Sequence, residues 1–434
     1  MSSTRSDLGQ SQPLAITDPD NPLVTRHWLE RCYAAGLQAV DGRQRVRCAL
    51  EDRPLTGPVW LIAIGKAASA MTMGALDHLG SRCLGGLIVD KAPPADPRPF
   101  AAFGIEWLTG GHPIPTGESL AAGELLFTAL ARTPPGATLL FLISGGASSL
   151  VEVPVAGLRL AELQQINRWL LGSGLPIGAM NQVRTAISRI KGGGLLTELP
   201  ARPLRVLAIS DVPGDDPAVI GSGLLVPAPD LASTVAGLDL PPWLRAWVDA
   251  GLVQRDGQPD QGPAIELVAT LEMATSAAAA AARALGLQVL VHPELLAGDA
   301  AERGRELARL VIEGPPGLHV WGGETTIQLP PQAGQGGRNQ HLALAAAREL
   351  CGHPGCLLLA AGTDGSDGPT EDAGALVDAW TVERAAIDGF DAADCLARAD
   401  SGSLLAATGD LIHTGPTGTN VMDLVLGLKL RAPA

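Results

Sequence analysis

Residues Phe141–Leu150 read FLISGGASSL, and this stretch decides the fold class. The run from Leu139 to Ile143 is apolar throughout, which is typical of a strand buried on both faces. It stops at Ser144, where hydroxyls, glycines and unhindered backbone amides follow. In a parallel α/β sheet such breaks gather at the carboxyl edge of the strands, where ligands bind. The stretch therefore predicts a parallel sheet with a ligand site at that edge.

The same kind of break follows three further apolar runs, at Ile64-Gly65-Lys66, Ile209-Ser210-Asp211 and Ala361-Gly362-Thr363-Asp364. Strand-like runs alternate with helix-like patterns along the chain, and this alternation predicts an α/β protein with parallel sheets and covering helices. Further expected elements are one helical stretch over Pro22–Ala49, a helix over Met180–Ile190 and a hairpin strand over Thr325–Leu329.

The length of 434 residues predicts two domains. A stretch that contains Pro and Gly, near Gln254–Pro263, is the best candidate for the boundary. We therefore predict a disordered N-terminus over residues 1–20, one domain over 21–258 and a second over 259–434.

The amino-acid composition limits the kinds of molecule that this protein is expected to bind. The net charge is −14, whereas a nucleic-acid-binding surface would need a basic stripe. The N-terminus has no apolar signal segment, and the most apolar helical stretch, Met273–Val291, is interrupted by Arg283. The six cysteines fit reduced thiols better than a disulfide framework or a zinc site. These features predict a cytoplasmic protein that binds neither nucleic acid nor membrane.

Lys66 follows a glycine at the start of a predicted helix, and it is one of four lysines in the chain. A Walker-type phosphate loop is excluded, because Trp60 stands where its first glycine should be. Lys66 either reaches an anion beside the helix N-terminus or is an ordinary surface lysine. His112, in a Gly-Gly-His-Pro turn, is more readily explained by a hydrogen bond within the turn than by catalysis.

Carboxylates and further cations occupy the other loops. Asp211 comes directly after an apolar run, as a Mg²⁺ ligand or a general base would. Arg338 opens a predicted helix, where its guanidinium could hold a carboxylate or phosphate through two parallel hydrogen bonds. Arg184 and Lys191 are spaced two helical turns apart, so they either bind an anion together or, for Lys191, complement the helix dipole.

A set of motifs occurs in a fixed order along almost the whole chain. The set resembles the type 2 glycerate kinases, which carry a C-terminal MOFRL domain, here at about residues 316–428. The motifs are IGKAASAM, GGHPIPTGESLAA, FLISGGASSL, MNQVRTAISRIKGGG, AISDVPGDDPAVIGSG, GGETTI, GGRNQHLAL, AAGTDGSDGPTEDAGALVD and TGPTGTNVMDL.

The resemblance implies two α/β domains, a larger N-terminal Rossmann-like domain and a C-terminal MOFRL-type domain, with the active site in the cleft between them. It implies ATP-dependent phosphorylation of D-glycerate at the 2-hydroxyl, with Mg²⁺ or another divalent cation. Lys66, Arg338 and Asp211 are then the expected catalytic residues, and Asp211, Asp364 and Asp367 the expected metal ligands. The residues expected to bind substrate or nucleotide are Gly65, Ser144, Gly145, Gly146, Ser148, Asn181, Arg184, Lys191, Glu324, Asn339, Thr363, Asp364, Gly365, Asp367, Thr417 and Asn420.

Two positions depart from the family pattern. Ala186 stands where the family usually has histidine, and Gly194 where it usually has arginine. Two alternatives stay open beside the kinase. An NAD(P)H-dependent hydroxypyruvate reductase would need a GxGxxG turn after its first strand, and a non-catalytic sensor would bind glycerate or nucleotide without turnover. A homodimer is a further expectation that the sequence does not decide.

Overall fold

Two six-stranded sheets organise the part of the chain, residues 22–255 and 259–431, that the computed structural model describes. The N-terminus predicted to be disordered lies outside these residues. The first sheet contains β1 Val59–Ile64, β2 Cys83–Asp90, β3 Ile105–Thr109, β4 Thr138–Ile143, β5 Leu204–Ile209 and β6 Ile265–Ala269. The second contains β7 Val289–Val291, β8 Gly317–Gly323, β9 Cys356–Gly362, β10 Gly374–Asp378, β11 Leu411–Ile412 and β12 Asp423–Lys429.

Helices pack around both sheets. In the first half of the chain they are α1 Pro22–Ala39, α2 Gly42–Asp52, α3 Ala68–Leu79, α4 Arg98–Ala102, α5 Gly117–Ala131, α6 Ala147–Leu150, α7 Leu160–Gly172, α8 Ile177–Ala186, α9 Leu231–Ala236 and α10 Pro242–Gln254. The later helices are α11 Leu271–Ala284, α12 Ala300–Glu313, α13 Arg338–Leu350, α14 Thr381–Ile387, α15 Ala392–Ala397 and α16 Ser401–Ala407. None of these described helices is long and apolar enough to cross a membrane.

The first sheet is parallel throughout, with the strand order β3-β2-β1-β4-β5-β6. Its central strands are apolar along nearly their whole length because helices cover both faces. The order reverses between β1 and β4, so the loops after these strands diverge and leave a crevice. Ile64 pairs with Ile143 at the ends of the two strands, which places Gly65 and Ser144 side by side. The parallel sheet and its loop edge confirm the sequence prediction.

The second sheet is mainly antiparallel, with the order β11-β10-β9-β12-β8-β7 and a single parallel pair, β7 with β8. The expectation of a parallel second sheet is therefore wrong. The segment between β9 and β10 is too short to hold a crossover helix, so β10 returns antiparallel. The predicted hairpin strand Thr325–Leu329 is also absent, and Thr326 makes only an isolated bridge with Asp299.

Two predicted helices end earlier than their apolar spacing suggested. The stretch from Pro22 breaks before Gly42, where the Asp41 carboxylate caps α2 by accepting from the Gln44 amide at 2.7 Å. Helix α8 stops at Ala186, because the chain beyond it pairs with a neighbouring extended segment. The backbone amide of Arg189 donates to the Val153 carbonyl oxygen there.

The predicted boundary at residue 258 does not separate the two sheets. Strand β6 comes after this residue, yet it pairs with β5 at the edge of the first sheet. Helix α1 belongs by sequence to the first half but packs against α11 and the second sheet. The Tyr33 hydroxyl on α1 donates to the Gly362 carbonyl oxygen at 2.6 Å, and Arg26 forms ion pairs with Asp378 and Asp410. The first helix therefore packs on the second sheet, and one apolar cluster contains residues of α1 and of both sheets.

Candidate active site

Lys66 lies at the end of β1 and reaches the second sheet. Its Nζ donates to Asp364 Oδ2 at 2.9 Å, and Asp364 follows β9. Lys91, at the end of β2, places its Nζ 3.8 Å from the same oxygen and donates to Ser366 Oγ at 3.3 Å. Burial alone would raise the pKa of Asp364, but the two ammonium groups lower it to about 2. Two cations thus converge on one carboxylate, where their ammonium groups could also contact an anionic ligand.

Lys91 was not among the predicted site residues. It is one of the chain's four lysines, and it directly follows the strand beside β1 in the sheet. Reading the lysines against the strand ends would have selected it together with Lys66. The sequence does not show that β1 and β2 are neighbours in the sheet. The sheet topology was therefore needed to place Lys91 beside Lys66.

Asp211, at the end of β5, contacts the second sheet through Asn420. The Asn420 Nδ2 donates to Asp211 Oδ2 at 2.9 Å. Gly145 lies so close that a Cβ there would overlap this carboxylate, and so the position requires glycine. Burial raises the pKa of Asp211 to about 6; the charge of Lys66 opposes the rise, while Glu324 and Asp364 add to it. A carboxylate with this pKa can accept a proton near neutral pH.

Arg338, the first residue of α13, is already held by two acidic side chains. Its Nε and Nη2 donate to the Asp423 carboxylate at 2.7 and 3.0 Å, and its Nη1 is 2.9 Å from Glu324 Oε1. Burial opposes the charged form, but Asp423 and Glu324 outweigh it and raise the pKa of Arg338. The sequence suggested two parallel hydrogen bonds from this guanidinium to a substrate carboxylate. In the structure Arg338 makes them to Asp423 instead. This residue went unpredicted because it lies inside the apolar pattern of β12.

Asp367 caps helix α13. One carboxylate oxygen accepts from the Asn339 amide at 3.1 Å, and the other accepts from the Gln340 amide at 2.8 Å. Burial raises the pKa of Asp367 to about 7, although these amides oppose the rise. Because both oxygens already serve the helix N-terminus, the arrangement differs from the predicted metal ligand. The Asn339 side chain is buried, and its amide atoms have no hydrogen-bond partner among the described residues.

The glycine-rich loop after β4 fits against the loop after β1. The Ser144 hydroxyl accepts from the Ala67 amide at 3.0 Å, and a Cβ on Gly65 would overlap Ser144. Gly146 has a φ of 82°, and a Cβ there would lie 3.2 Å from both Lys66 Cγ and His112 Cδ2. Ser148 shares a 2.7 Å hydrogen bond with Ser222. Gly145 and Gly146 thus let Asp211, Lys66 and His112 approach one another.

His112 borders Lys66 and stays neutral at physiological pH. Desolvation, helped by the charges of Lys66 and Lys91, lowers its pKa to about 4, although the residue as a whole is exposed to solvent. Sequence reasoning favoured a role within the turn, whereas the structure places this imidazole at the site.

Three predicted binding residues in the second sheet organise its loops. The Thr363 hydroxyl donates to the Met422 carbonyl oxygen at 2.6 Å, and the Thr417 hydroxyl donates to the Thr363 carbonyl oxygen at 2.5 Å. Gly365 has a φ of 83° and lies against Gly415, where a side chain would not fit. These contacts fix the loop that carries Asp364.

Arg184 and Lys191 have different hydrogen-bond partners, although both line the same cavity. The Lys191 Nζ donates to Glu152 Oε2 at 2.5 Å, and both side chains are almost completely buried. Arg184 donates to the side-chain oxygens of Asn167 and Asn181, each at 3.0 Å. No acidic side chain among the described residues pairs with it. Of the two cations predicted to bind an anion, Lys191 is already paired with Glu152, and Arg184 is the one left available.

The described residues contain no ready-made cluster of three or more His, Cys, Asp or Glu side chains that could hold a metal ion. Asp211 and Asp364 nevertheless lie close enough for their charges to interact. Mg²⁺ commonly takes only one or two protein carboxylates and completes its shell with phosphate oxygens and water. The donor set therefore fits a cation that arrives with a nucleotide.

The chain matches two family profiles and several known proteins. The profile of a domain of unknown function, DUF4147, matches residues 28–238, and that of the MOFRL family matches residues 317–423. A D-glycerate 2-kinase from Thermotoga maritima is 34% identical, with 85% of this chain and 90% of the relative covered. A putative hydroxypyruvate reductase from Agrobacterium vitis is 38% identical, with 93% and 94% covered.

The crystal structure of a Thermotoga maritima glycerate kinase superposes with a TM-score of 0.79 at 32% identity. It covers 94% of this chain and 100% of that one. With two sheets facing each other across Lys66 and Asp364, this chain belongs to the type 2 glycerate kinase family, which carries a MOFRL domain.

Proposed function

We propose that this protein phosphorylates D-glycerate at its 2-hydroxyl with ATP, giving 2-phosphoglycerate and ADP. One observation carries the proposal beyond family membership. Lys66 and Asp211 from the first sheet meet Asp364 and Asn420 from the second at hydrogen-bond distance. A proton acceptor and two ammonium groups therefore converge between the sheets, where phosphoryl transfer needs positioning and charge neutralisation.

In the proposed reaction, the 2-hydroxyl oxygen forms a bond to the γ-phosphorus, and the bond from that phosphorus to the bridging oxygen of ADP breaks. Asp211 takes the hydroxyl proton, because its raised pKa suits proton transfer near neutral pH. Lys66 and Lys91 offset the charge on the transferring phosphoryl group. Arg338, fixed by Asp423, uses its remaining N–H groups to orient glycerate.

Mg²⁺ is part of the proposal, and Asp364 is the protein carboxylate best placed to hold it. The cation would neutralise phosphate charge and orient the donor. In this scheme Asp367 is a structural cap, since both of its oxygens bind backbone amides. Activity should vanish when EDTA is added and return with Mg²⁺ or Mn²⁺, and full turnover in metal-free buffer would remove the cation from the scheme.

The deciding experiment incubates the protein with Mg-ATP and D-glycerate and identifies the product by phosphorus NMR. The 2-phosphate isomer is expected, and 3-phosphoglycerate would refute the acceptor assignment. Oxidation of NADH with hydroxypyruvate would favour the activity named for the Agrobacterium vitis relative. The sequence after β1, Gly65-Lys66-Ala67, lacks the GxGxxG turn that such a reductase would use. Binding of glycerate or ATP without turnover would indicate the sensor.

The cellular location and the oligomeric state of the enzyme are also proposals. We place the enzyme in the cytoplasm on the strength of its unpaired cysteines, and a homodimer stays a prediction. Cell fractionation tests the location, and light scattering of the purified protein tests the oligomeric state.

A further inference from the structure

A cavity of about 370 Å³ opens beside the active site, between the loop after β4 and the helices α7 and α8. Gly146 and His112 are among the residues that line it. Both residues adjoin Lys66, because a Cβ on Gly146 would contact Lys66 and His112 alike. The cavity is therefore continuous with the place where the phosphoryl group would transfer. Its volume lies in the range of sites for drug-sized ligands and is far larger than a three-carbon acid needs.

The walls and rim of this cavity are largely apolar. Leu163, Ile187 and three residues of the Pro113–Pro115 turn line it. At the rim, Ile114, Leu171 and Ile177 are 42%, 63% and 62% exposed, respectively. Large aliphatic side chains clustered around a pocket leave apolar surface that a flat organic ring would cover favourably.

Arg184 supplies the cavity with a positive charge that the described residues do not balance. Glu152 also lines the cavity, but its carboxylate is committed to Lys191 and Ser188. The Arg184 Nε and Nη1 donate to neutral amide oxygens, which hold the guanidinium plane without neutralising it. A planar, weakly hydrated guanidinium in this setting can stack on an aromatic ring and donate to phosphate or ring nitrogens.

His112 and Arg184 both line the cavity but differ in their electrostatic surroundings. The charges of Lys66, Lys91 and Asp364 act on the pKa of His112. Arg184 responds to burial alone, and no charged group contributes to its pKa shift. Arg184 is thus a half-buried cation in the same cavity that Gly146 and His112 line. A cavity of this volume with apolar walls suits a nucleoside better than a three-carbon acid, and the phosphates of a nucleoside triphosphate would extend from it past Gly146 towards Lys66.

We propose that this cavity binds the nucleoside half of the phosphoryl donor. The purine ring packs against Ile114, Leu171 and Ile177 with the Arg184 guanidinium on it, and the phosphate chain runs past Gly146 to Lys66. The inference rests on the proposed function, because it assigns the donor subsite of that reaction. The acceptor then occupies the space between the sheets, near Asp211 and Arg338.

The test compares the binding of Mg-ATP and Mg-tripolyphosphate by calorimetry, without glycerate. Tripolyphosphate offers the phosphates but no nucleoside, so the wild type should bind ATP at least ~10-fold more tightly. Arg184→Leu and, separately, Ile177→Asp should each weaken ATP binding about 10-fold and leave tripolyphosphate binding unchanged. Ile177 is exposed, so its substitution should leave the fold intact.

The matched controls are Arg168→Leu, an exposed arginine on α7, and Val253→Asp, a 76% exposed residue on α10. Neither residue lines the cavity, and both variants should bind ATP like the wild type. Equal affinity for ATP and tripolyphosphate, or unchanged ATP binding in both cavity variants, would overturn the inference. A selective loss of glycerate affinity in Arg184→Leu would likewise overturn it, because the cavity would then hold the acceptor.

The test distinguishes a failure of the donor subsite from a failure of the proposed kinase activity. If ATP binds through this cavity but no phosphoglycerate forms, the kinase proposal fails and the donor subsite stands. If phosphoglycerate forms but the nucleoside adds nothing to binding, the kinase proposal stands and the donor subsite fails.

Discussion

Replacing Lys191 with methionine should destabilise the fold, because it removes one partner of a buried ion pair. Lys191 and Glu152 form an ion pair at 2.5 Å, with side chains only 3% and 2% exposed. Methionine nearly matches the length of the lysine side chain, so the main change is the loss of the ammonium group. Glu152 would then remain charged and buried without its cation. Such a loss of one partner typically costs about 3–5 kcal/mol of unfolding free energy.

The structure indicates the lower end of this range. Glu152 Oε1 would still accept from the Ser188 hydroxyl at 2.6 Å and from the Val153 amide at 3.0 Å. Only Oε2 loses its donor, so we expect a loss of about 3 kcal/mol. With an m-value of about 3 kcal/mol per molar urea, this corresponds to a midpoint lower by about 1 M.

Urea unfolding followed by tryptophan fluorescence measures this shift. The double variant Lys191→Met with Glu152→Gln should recover most of the loss, because no uncompensated charge remains. Arg132→Met is the matched control, since Arg132 and Glu106 also lie 2.5 Å apart but are 57% and 49% exposed. That pair should contribute less than about 1 kcal/mol. Wild-type stability of Lys191→Met combined with a raised KM for ATP would refute the reasoning and return Lys191 to ligand binding.

Three further predictions concern turnover. Lys66→Ala should lower kcat by about 10²-fold or more while the fold persists, because one transition-state charge contact is lost; near-normal turnover would remove Lys66 from the mechanism. The pKa of Asp211 is raised in the folded protein, so its charged, proton-accepting form is lost as pH falls, and kcat/KM for glycerate should decline below about pH 6. Because the Lys66 charge lowers that pKa, the residual activity of Lys66→Ala should decline at a higher pH, and a pH profile identical to that of the wild type would contradict the assignment of Asp211 as base. Arg338→Lys should stay impaired despite its charge, because lysine cannot reproduce the fork that Asp423 holds; a rise in the KM for glycerate alone would place Arg338 on the acceptor, whereas equal rises for glycerate and ATP would place it on the phosphates.

Local sequence was a reliable guide where a residue's role follows from its own strand or helix. Lys66 and Asp211 were selected because each directly follows an apolar run, and the parallel sheet brings such positions to one edge. Arg338 was selected because it opens a helix, and it does lie at the first position of α13. Periodicity and side-chain chemistry made them candidates, and the family resemblance supplied their expected catalytic roles.

The sequence did not show which residues pair with one another across the fold. Asp423 and Lys91 lie within or beside apolar strands, and nothing local to them indicates Arg338 or Asp364. Asp367 looked like a metal ligand because it stands in an acidic glycine loop, yet a helix N-terminus 27 residues away in sequence takes both of its oxygens. Lys191 looked like an anion contact until Glu152 was seen beside it.

The sequence alone determined the parallel first sheet, the glycine loops at its edge and the family to which the chain belongs, because strand burial and tight turns leave patterns in consecutive residues. The tertiary structure decided the antiparallel second sheet, the attachment of α1 to that sheet and the pairing of Lys191 with Glu152. These features depend on strand order and on ion pairs between residues far apart in the chain. A local pattern of apolar residues does not show which distant residues will form such contacts.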